Sequence, residues 1–412
     1  VRVAHTGEHR TAYLERTDFA RRPGSPTGGS WKEHPKVKLQ RKNRLRALSL
    51  GAIAVSGALA LTACGSDDTS ANGGSSSAPS AKAGSIKCDD AKGQLLANGS
   101  SAQANAIQAW VKAYTAECKG VQINYKPEGS GAGVTAFTQG QVAFAGSDSA
   151  LKPEEVAASK KVCSGGQGID LPMVGGPIAI GYNVPGVDNL VLDAKTLAQI
   201  FDGKISTWDD EAIAKLNPKA KLPKTKIQAF HRSDESGTTD NFTKYLKAAS
   251  PADWKYSGGK AWQAKGGQSA QGSSGLAQQV KQTAGAISYF ELSYAKDGIK
   301  TVDLDTGASA PVKATVENAT KAISEAKTVG TGKDLALELN YATKADGAYP
   351  ITLVTYEIVC DKGNKADTFK ATKSFLTYIA SQDGQDSLAA LGYAPIPSEI
   401  NTKVRDTIAS LS

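Results

Sequence analysis

Histidine is nearly missing from this 412-residue chain. There are four, and three of them (His5, His9, His34) fall in the first 34 residues, leaving His231 alone for the rest. Cysteine is also scarce: five are present, and no two stand in a CxxC spacing. A structural zinc site takes four such ligands and a catalytic one three, so no metal site and no cofactor is expected. A serine hydrolase would have only His231 as its base, and no Gly-x-Ser-x-Gly turn surrounds Ser130. A carboxylate and histidine cluster of the kind a metal-dependent phosphatase needs is likewise missing. The body of the chain has no charge excess. The net charge of +8 lies within residues 1–46, which hold twelve Lys/Arg and four Asp/Glu, while residues 64–412 carry 36 of each sign. The pI of about 9.0 is therefore a property of the leader and no argument for nucleic acid binding.

That leader reads as a targeting segment. The basic stretch KVKLQRKNRLR (36–46) precedes the uncharged, largely apolar run ALSLGAIAVSGALALTA (47–63), which is somewhat shorter than the ~20 residues of a membrane span. It ends in Leu61-Thr62-Ala63-Cys64-Gly65, which resembles a bacterial lipobox. On that reading residues 1–63 are a lipoprotein leader, and Cys64 becomes the mature N-terminus carrying lipid such as palmitate. Residues 64–88 follow as a Ser/Gly-rich tether with almost no large apolar side chain. The chain begins with Val1 and its one methionine is Met173. A translation start near Val37 is expected, with residues 1–36 outside the translated protein. The remaining cysteines, Cys88, Cys118, Cys163 and Cys360, are an even number in an exported chain, which favours two disulfides among three possible connectivities.

Beyond the tether, short apolar runs alternate with helical patterns, the mark of α/β architecture. Strands are expected at 94–97, 121–125 and 142–145, and a helix at 102–118 with Ile107, Trp110, Val111 and Tyr114 on one face. A further helix is expected from Val134. The two longest β-rich runs are LPMVGGPIAIGYNV (171–184) and YPITLVTYEIVC (349–360). Three loops share a design: SSAQANAI, GSGAGVTAF and SGTTDNF each put serine or glycine where a strand hands over to a helix. A helix start leaves unpaired N–H groups and a positive dipole end, so each loop suits an anion. Singly, each serine or threonine also reads as an ordinary N-cap. Together with Arg232 and Asp148 beside them, the three point to one shared oxyanion site.

Several stretches carry a family resemblance: NGSSAQANAIQAW (98–110), GSGAGV (129–134), VAFAGSDSAL (142–151), TLAQIFDGKISTWDDEAIAKLNP (196–218), HRSDESGTTDNFTKYL (231–246), GAISYFELSYAK (285–296) and YPITLVTYEIV (349–359). From Gln94 onward the chain resembles the phosphate-binding protein of the bacterial high-affinity phosphate ABC transporter. The resemblance implies an α/β, two-lobed periplasmic-binding-protein fold (Venus-flytrap, type II) with a ligand cleft between the lobes. It implies phosphate contacts from Ser101, Ala102, Ser130 and Asp148 in the first lobe and from Arg232, Ser236, Gly237 and Thr238 in the second. Ser101 and Ala102 stand where the family often has threonine and an aromatic residue, and Glu235 where it usually has glycine. Ala102 keeps the backbone donor and loses an apolar cover, and Glu235 is expected to face solvent.

The chemistry fits those residue types. Phosphate near neutral pH keeps at least one proton, so it offers acceptor oxygens and one O–H donor together. Hydroxyls, backbone N–H groups and the Arg232 fork serve the acceptors; an ionised Asp148 can only accept, so it takes the proton. Sulfate has no proton to give, and its oxygen would face a buried carboxylate. Asp234 is expected to hold the Arg232 guanidinium.

The function implied is that of an extracytoplasmic solute-binding lipoprotein, anchored on the outer face of the membrane, delivering inorganic phosphate to ABC permease subunits. It would act as a monomer, with no enzyme activity and no nucleic acid partner. The alternative is a phosphate-sensing or scavenging surface lipoprotein uncoupled from transport. Lobe one is expected at 89–180 plus 349–412 and lobe two at 181–348. The disulfides are expected as Cys88–Cys118, each ahead of one of two neighbouring strands, and Cys163–Cys360, near the long β runs. The loop GGQSAQGSSG (266–275) reads equally as cleft border or as surface loop.

Overall fold

The computed structural model describes residues 86–412. The leader, Cys64 and all but the last residues of the tether lie outside them. Eight strands form the backbone of the main sheet: β1 (Gly93–Gly99), β2 (Val121–Lys126), β3 (Phe144–Ser147), β4 (Gly168–Asn183), β5 (Gln228–Arg232), β6 (Gln268–Ala270), β7 (Ala286–Glu291) and β8 (Thr352–Cys360). Their order is β2-β1-β3-β8-β4-β7-β5-β6, with the short strand Lys300–Thr301 also paired to β4. β1 pairs in parallel with both β2 and β3, and β5 does so with β6 and β7. The two parallel wings are joined by the antiparallel strands β8 and β4.

β4 makes the joint. Its first half, Gly168–Pro177, pairs with β8, and its second half, Ile178–Asn183, pairs with β7. All sixteen of its residues but the last are buried, as is the whole of β8. Strands covered on both faces read as continuous apolar runs rather than alternating ones, which is why these two stretches stand out in the sequence.

Each wing has its own core. One contains Leu95, Ile107, Trp110, Tyr114, Leu171, Val174 and Phe375; the other contains Ile178, Phe201, Trp208, Phe242, Trp254, Tyr289 and Leu353. Helix α1 (Ala104–Glu117) buries Ile107, Trp110 and Tyr114 along one stripe and leaves Val111 only partly covered. The two cores depart from the expected division in two stretches. Ala319, Ile323, Leu335 and Leu337, placed by the sequence in lobe two, are buried in the first core, whereas Tyr349, Ile351 and Leu353 are buried in the second. Gly175 of β4 leaves the room that Ile323 occupies, and Leu335 N–H donates to Asp170 O at 3.0 Å. The chain thus returns to lobe one for about 25 residues before β8.

Cys88 is bonded to Cys118 and Cys163 to Cys360, with Cα–Cα separations of 5.4 Å in both. Cys163 and Cys360 sit in a small apolar cluster with Val134, Phe137 and Ile358.

Candidate functional site

The first-lobe part of the site is built by glycines that let three loops meet. Gly99 ends β1 at φ 149°, and a Cβ there would run into the backbone of Gly146 in β3. Ser100, Ser101 and Ala102 follow, all buried. Helix α2 starts at Ser130 and runs to Thr138, four residues earlier than the expected start at Val134. Small residues allow that early start, since a Cβ on Gly133 would lie 2.6 Å from Gly99 Cα. β3 delivers Asp148 just past its end.

In the second lobe β5 ends at Arg232, and Ser236 caps helix α3 (Gly237–Ala249), its Oγ accepting from Thr239 N–H at 3.2 Å. Capping uses an acceptor of Ser236 and leaves its O–H free to donate. Arg232 Nε donates to Asp234 Oδ1 at 2.7 Å and Nη2 to Asp234 Oδ2, a two-pronged pair that fills half of the guanidinium fork. Burial pushes the Asp234 carboxyl up, but Arg232 outweighs it and holds the group below its ordinary value. Nη1 of Arg232 is buried and has no protein partner. An unmatched buried cationic donor is costly, and an anion beside it would relieve that cost. Glu235 is exposed, as expected.

The two lobes meet around Asp148. Ser130 Oγ donates to Asp148 Oδ2 at 3.5 Å and accepts from Asp148 N–H and Gly237 N–H, each at 3.1 Å. Thr238 Oγ1 donates to Asp148 Oδ2 at 3.3 Å, and Asn241 Nδ2 to its carbonyl oxygen at 2.7 Å. A Cβ on Gly237 would come within 2.7 Å of both Asp148 Cβ and Ser130 Oγ, so only glycine lets this helix start close on the other lobe. Ser130, Ser236 and Thr238 are fully buried, and Arg232 and Asp148 are 2 % and 4 % exposed. Burial raises the Asp148 carboxyl above its ordinary value; hydroxyls of Ser100, Thr355 and Thr238 and the charge of Arg232 oppose the shift.

All eight residues named from the resemblance are buried. Ser130, Asp148, Gly237 and Thr238 touch one another directly. Two of the backbone N–H groups are already engaged, that of Ala102 by Ser100 Oγ at 3.0 Å and that of Gly237 by Ser130 Oγ at 3.1 Å, and the Ala102 carbonyl accepts from Tyr393 at 2.6 Å. Two residues escaped the sequence reading. Thr355, fully buried in β8, donates to Asp148 Oδ1 at 2.8 Å; a threonine inside a β run carries no signal of that role. Ser273 N–H donates to Ser101 Oγ at 3.0 Å across the cleft. It lies in the loop whose role the sequence left open, at the start of helix α4 (Gly272–Gln282). His231 stacks on Trp262 with ring centroids 4.8 Å apart, and its Nδ1 meets the Arg232 carbonyl at 3.0 Å.

Fold and site together define a two-lobed α/β protein of the solute-binding class, with the candidate site between its lobes. A family model described as a PBP superfamily domain matches residues 85–383. The phosphate-binding protein PstS 3 of Mycobacterium leprae is 42% identical over 348 residues, 84% of this chain and 93% of that one. PstS 2 of Mycobacterium tuberculosis is 40% identical over 362 residues, covering 86% and 96%. The chain belongs to the PstS family of phosphate-binding proteins within that superfamily. Its fold is shared with a phosphate-bound putative phosphate ABC transporter substrate-binding protein from Clostridium perfringens (TM-score 0.55, 20% identity, 74% of this chain and 100% of that one). It is shared also with a phosphate-binding protein from Stenotrophomonas maltophilia (TM-score 0.58, 20% identity, 76% and 93%).

Proposed function

We propose that this protein captures inorganic phosphate outside the cytoplasm and hands it to an ABC permease, held at the membrane by lipid on Cys64 and acting as a monomer. The observation that carries the reading is a pair of buried groups in one closed cleft: Asp148, which accepts, and Arg232, whose Nη1 has no protein partner. A ligand serving both must carry negative charge and a proton, as phosphate does and sulfate does not. Ser101, Ser130, Ser236 and Thr238 supply hydroxyls, Gly237, whose N–H is held by Ser130 Oγ, lets the helix start come close, and Thr355 holds Asp148 Oδ1 so that Oδ2 faces the other lobe. Ala102 contributes to the loop's shape more than to donation, since Ser100 takes its N–H.

Binding without catalysis is the reading the side chains favour. Hydrolysis through Ser130 would have to use Asp148, 3.5 Å from Ser130 Oγ, as its base, and that carboxylate is already engaged by the Thr238 and Thr355 hydroxyls. His231 is engaged by Trp262 and the Arg232 carbonyl. Calorimetric titration of the phosphate-stripped protein with phosphate, arsenate and sulfate tests the proposal. Phosphate and arsenate should bind with one-to-one stoichiometry and sulfate should give no heat. Equal binding of sulfate would overturn it.

A further inference from the structure

The first two N–H groups of helix α4 go to different lobes. That of Gly272 donates at 3.1 Å to Asp234 Oδ1, the carboxylate oxygen that also accepts from Arg232 Nε. That of Ser273 donates at 3.0 Å to Ser101 Oγ in the first lobe. The Ser273 hydroxyl lies 3.3 Å from the same Ser101 Oγ, its one side-chain partner among the described residues. Both side chains are buried. The Ser101 carbonyl is fixed separately, accepting from Tyr294 O–H at 2.7 Å. Tyr294 therefore places the backbone of this turn, while Ser273 acts on its hydroxyl.

Ser130 is held in the same manner. Its Oγ accepts from Asp148 N–H in its own lobe and, from the other lobe, from the N–H of Gly237 at the start of helix α3. A hydroxyl has one donor and two lone pairs. With both lone pairs taken, Ser130 has only its O–H to offer. Ser101 has one lone pair taken by Ser273 N–H, and the Ser273 O–H is within reach of the second. Either oxygen of that hydroxyl pair can donate to the other. An unprotonated phosphate oxygen beside Ser101 only accepts, and so it settles the direction. It draws the Ser101 O–H, and the Ser273 O–H turns to fill the lone pair that remains.

We infer, on the phosphate reading, that Ser273 is a positioning residue for phosphate: from the second lobe it fixes the Ser101 hydroxyl as a donor to the anion. Helix starts carry N–H groups with no partner inside the helix. Here two of them act on the ligand through serines of the opposite lobe, Gly237 through Ser130 and Ser273 through Ser101. Both ties cross the cleft, so parting the lobes breaks them. An open first lobe presents hydroxyls free to accept or to donate. Closure leaves them as donors, matched to a ligand rich in acceptor oxygens.

A double-mutant cycle on Ser101 and Ser273, read by calorimetric titration with phosphate, tests this. Ser273→Ala keeps the backbone N–H and removes the hydroxyl, and phosphate affinity should fall about three- to tenfold, the range of one hydrogen bond. In a Ser101→Ala background the same substitution should change affinity less than about twofold, because no hydroxyl is left to direct. The phosphorus NMR resonance of bound phosphate should move in Ser273→Ala and stay in place when Ser273→Ala is added to Ser101→Ala. Undiminished affinity in Ser273→Ala, with the wild-type protein binding phosphate, overturns the role of Ser273 alone. An equal loss in both backgrounds also overturns it, since Ser273 would then touch the anion itself or only support the fold. Failure of the wild-type protein to bind phosphate overturns the functional reading, and the role of Ser273 with it.

Discussion

On the proposed function Asp148 and Arg232 divide the work of recognition, and their variants should fail in different ways. Replacing Asp148 by Asn keeps an acceptor for the phosphate O–H and adds an NH₂ donor that a sulfate oxygen can accept. Phosphate affinity should fall modestly while sulfate begins to bind. Replacing Arg232 by Ala removes a buried positive charge and leaves Asp234 without the partner that holds its carboxyl down. Charge-assisted bonds contribute about 1.5–3 kcal/mol each, so phosphate affinity should fall by about one to two decades per lost bond, with no gain for sulfate. Competition titration at fixed ionic strength separates the two patterns. An Asp148→Asn protein that still ignores sulfate would remove the carboxylate from its role as filter.

At the scale of elements, β7 and β8 each carry a fully buried glutamate near the site. Burial pushes Glu291 and Glu357 from the ordinary 4.5 up to about 8, and neither oxygen of Glu357 has a protein partner. A carboxyl raised in the folded state is protonated there while the unfolded chain has already ionised. Its stabilising contribution is complete below about pH 4.5 and is lost as pH rises to about 8, at roughly 1.4 kcal/mol per pH unit for each group. Glu357→Gln should flatten this slope by the share of one group and leave the protein more stable than wild type at pH 8. Urea midpoints at pH 5, 6.5 and 8 decide it, and a slope equal to wild type would place the proton elsewhere. The disulfides differ in reach: Cys163–Cys360 spans 197 residues and Cys88–Cys118 spans 30. On the chain-entropy account the longer loop stabilises more, about 5 against about 3.5 kcal/mol. Removing both cysteines of the longer pair should therefore lower the urea midpoint further than removing those of the shorter.

At the scale of the whole molecule, a Ser/Gly-rich stretch, residues 65–87, separates the proposed anchor at Cys64 from the binding domain in the sequence. Cys64→Ser should move the protein from the membrane fraction to the soluble fraction or the medium with phosphate affinity unchanged, since Cys64 lies 37 residues before Ser101 in sequence. Fractionation and titration of the same preparation check both halves. Retention in the membrane would refute the lipid anchor and leave the binding site untouched.

Local signals sufficed for much of this. Apolar periodicity marked α1, continuous apolar runs marked β4 and β8, and serine or glycine at strand–helix junctions marked the turns at Ser101, Ser130 and Ser236. Each of these depends on neighbours a few residues apart, and such patterns are written in the chain itself. The sequence also carried the sign of the proposed ligand, because hydroxyls and an arginine gathered at helix starts suit an anion. Other features depended on which distant segments meet. Thr355 reaches Asp148 across 207 residues and Ser273 reaches Ser101 across 172, and neither residue type is unusual where it stands. The loss of the Ala102 N–H to Ser100 is a matter of a single rotamer. The segment 319–337 joined lobe one because Gly175 left room for Ile323, a fit of surfaces that no spacing along the chain records. Tertiary structure alone decided these, since a hydrogen bond or a packed methyl group is fixed by distance in space, and chain separation says nothing of that distance.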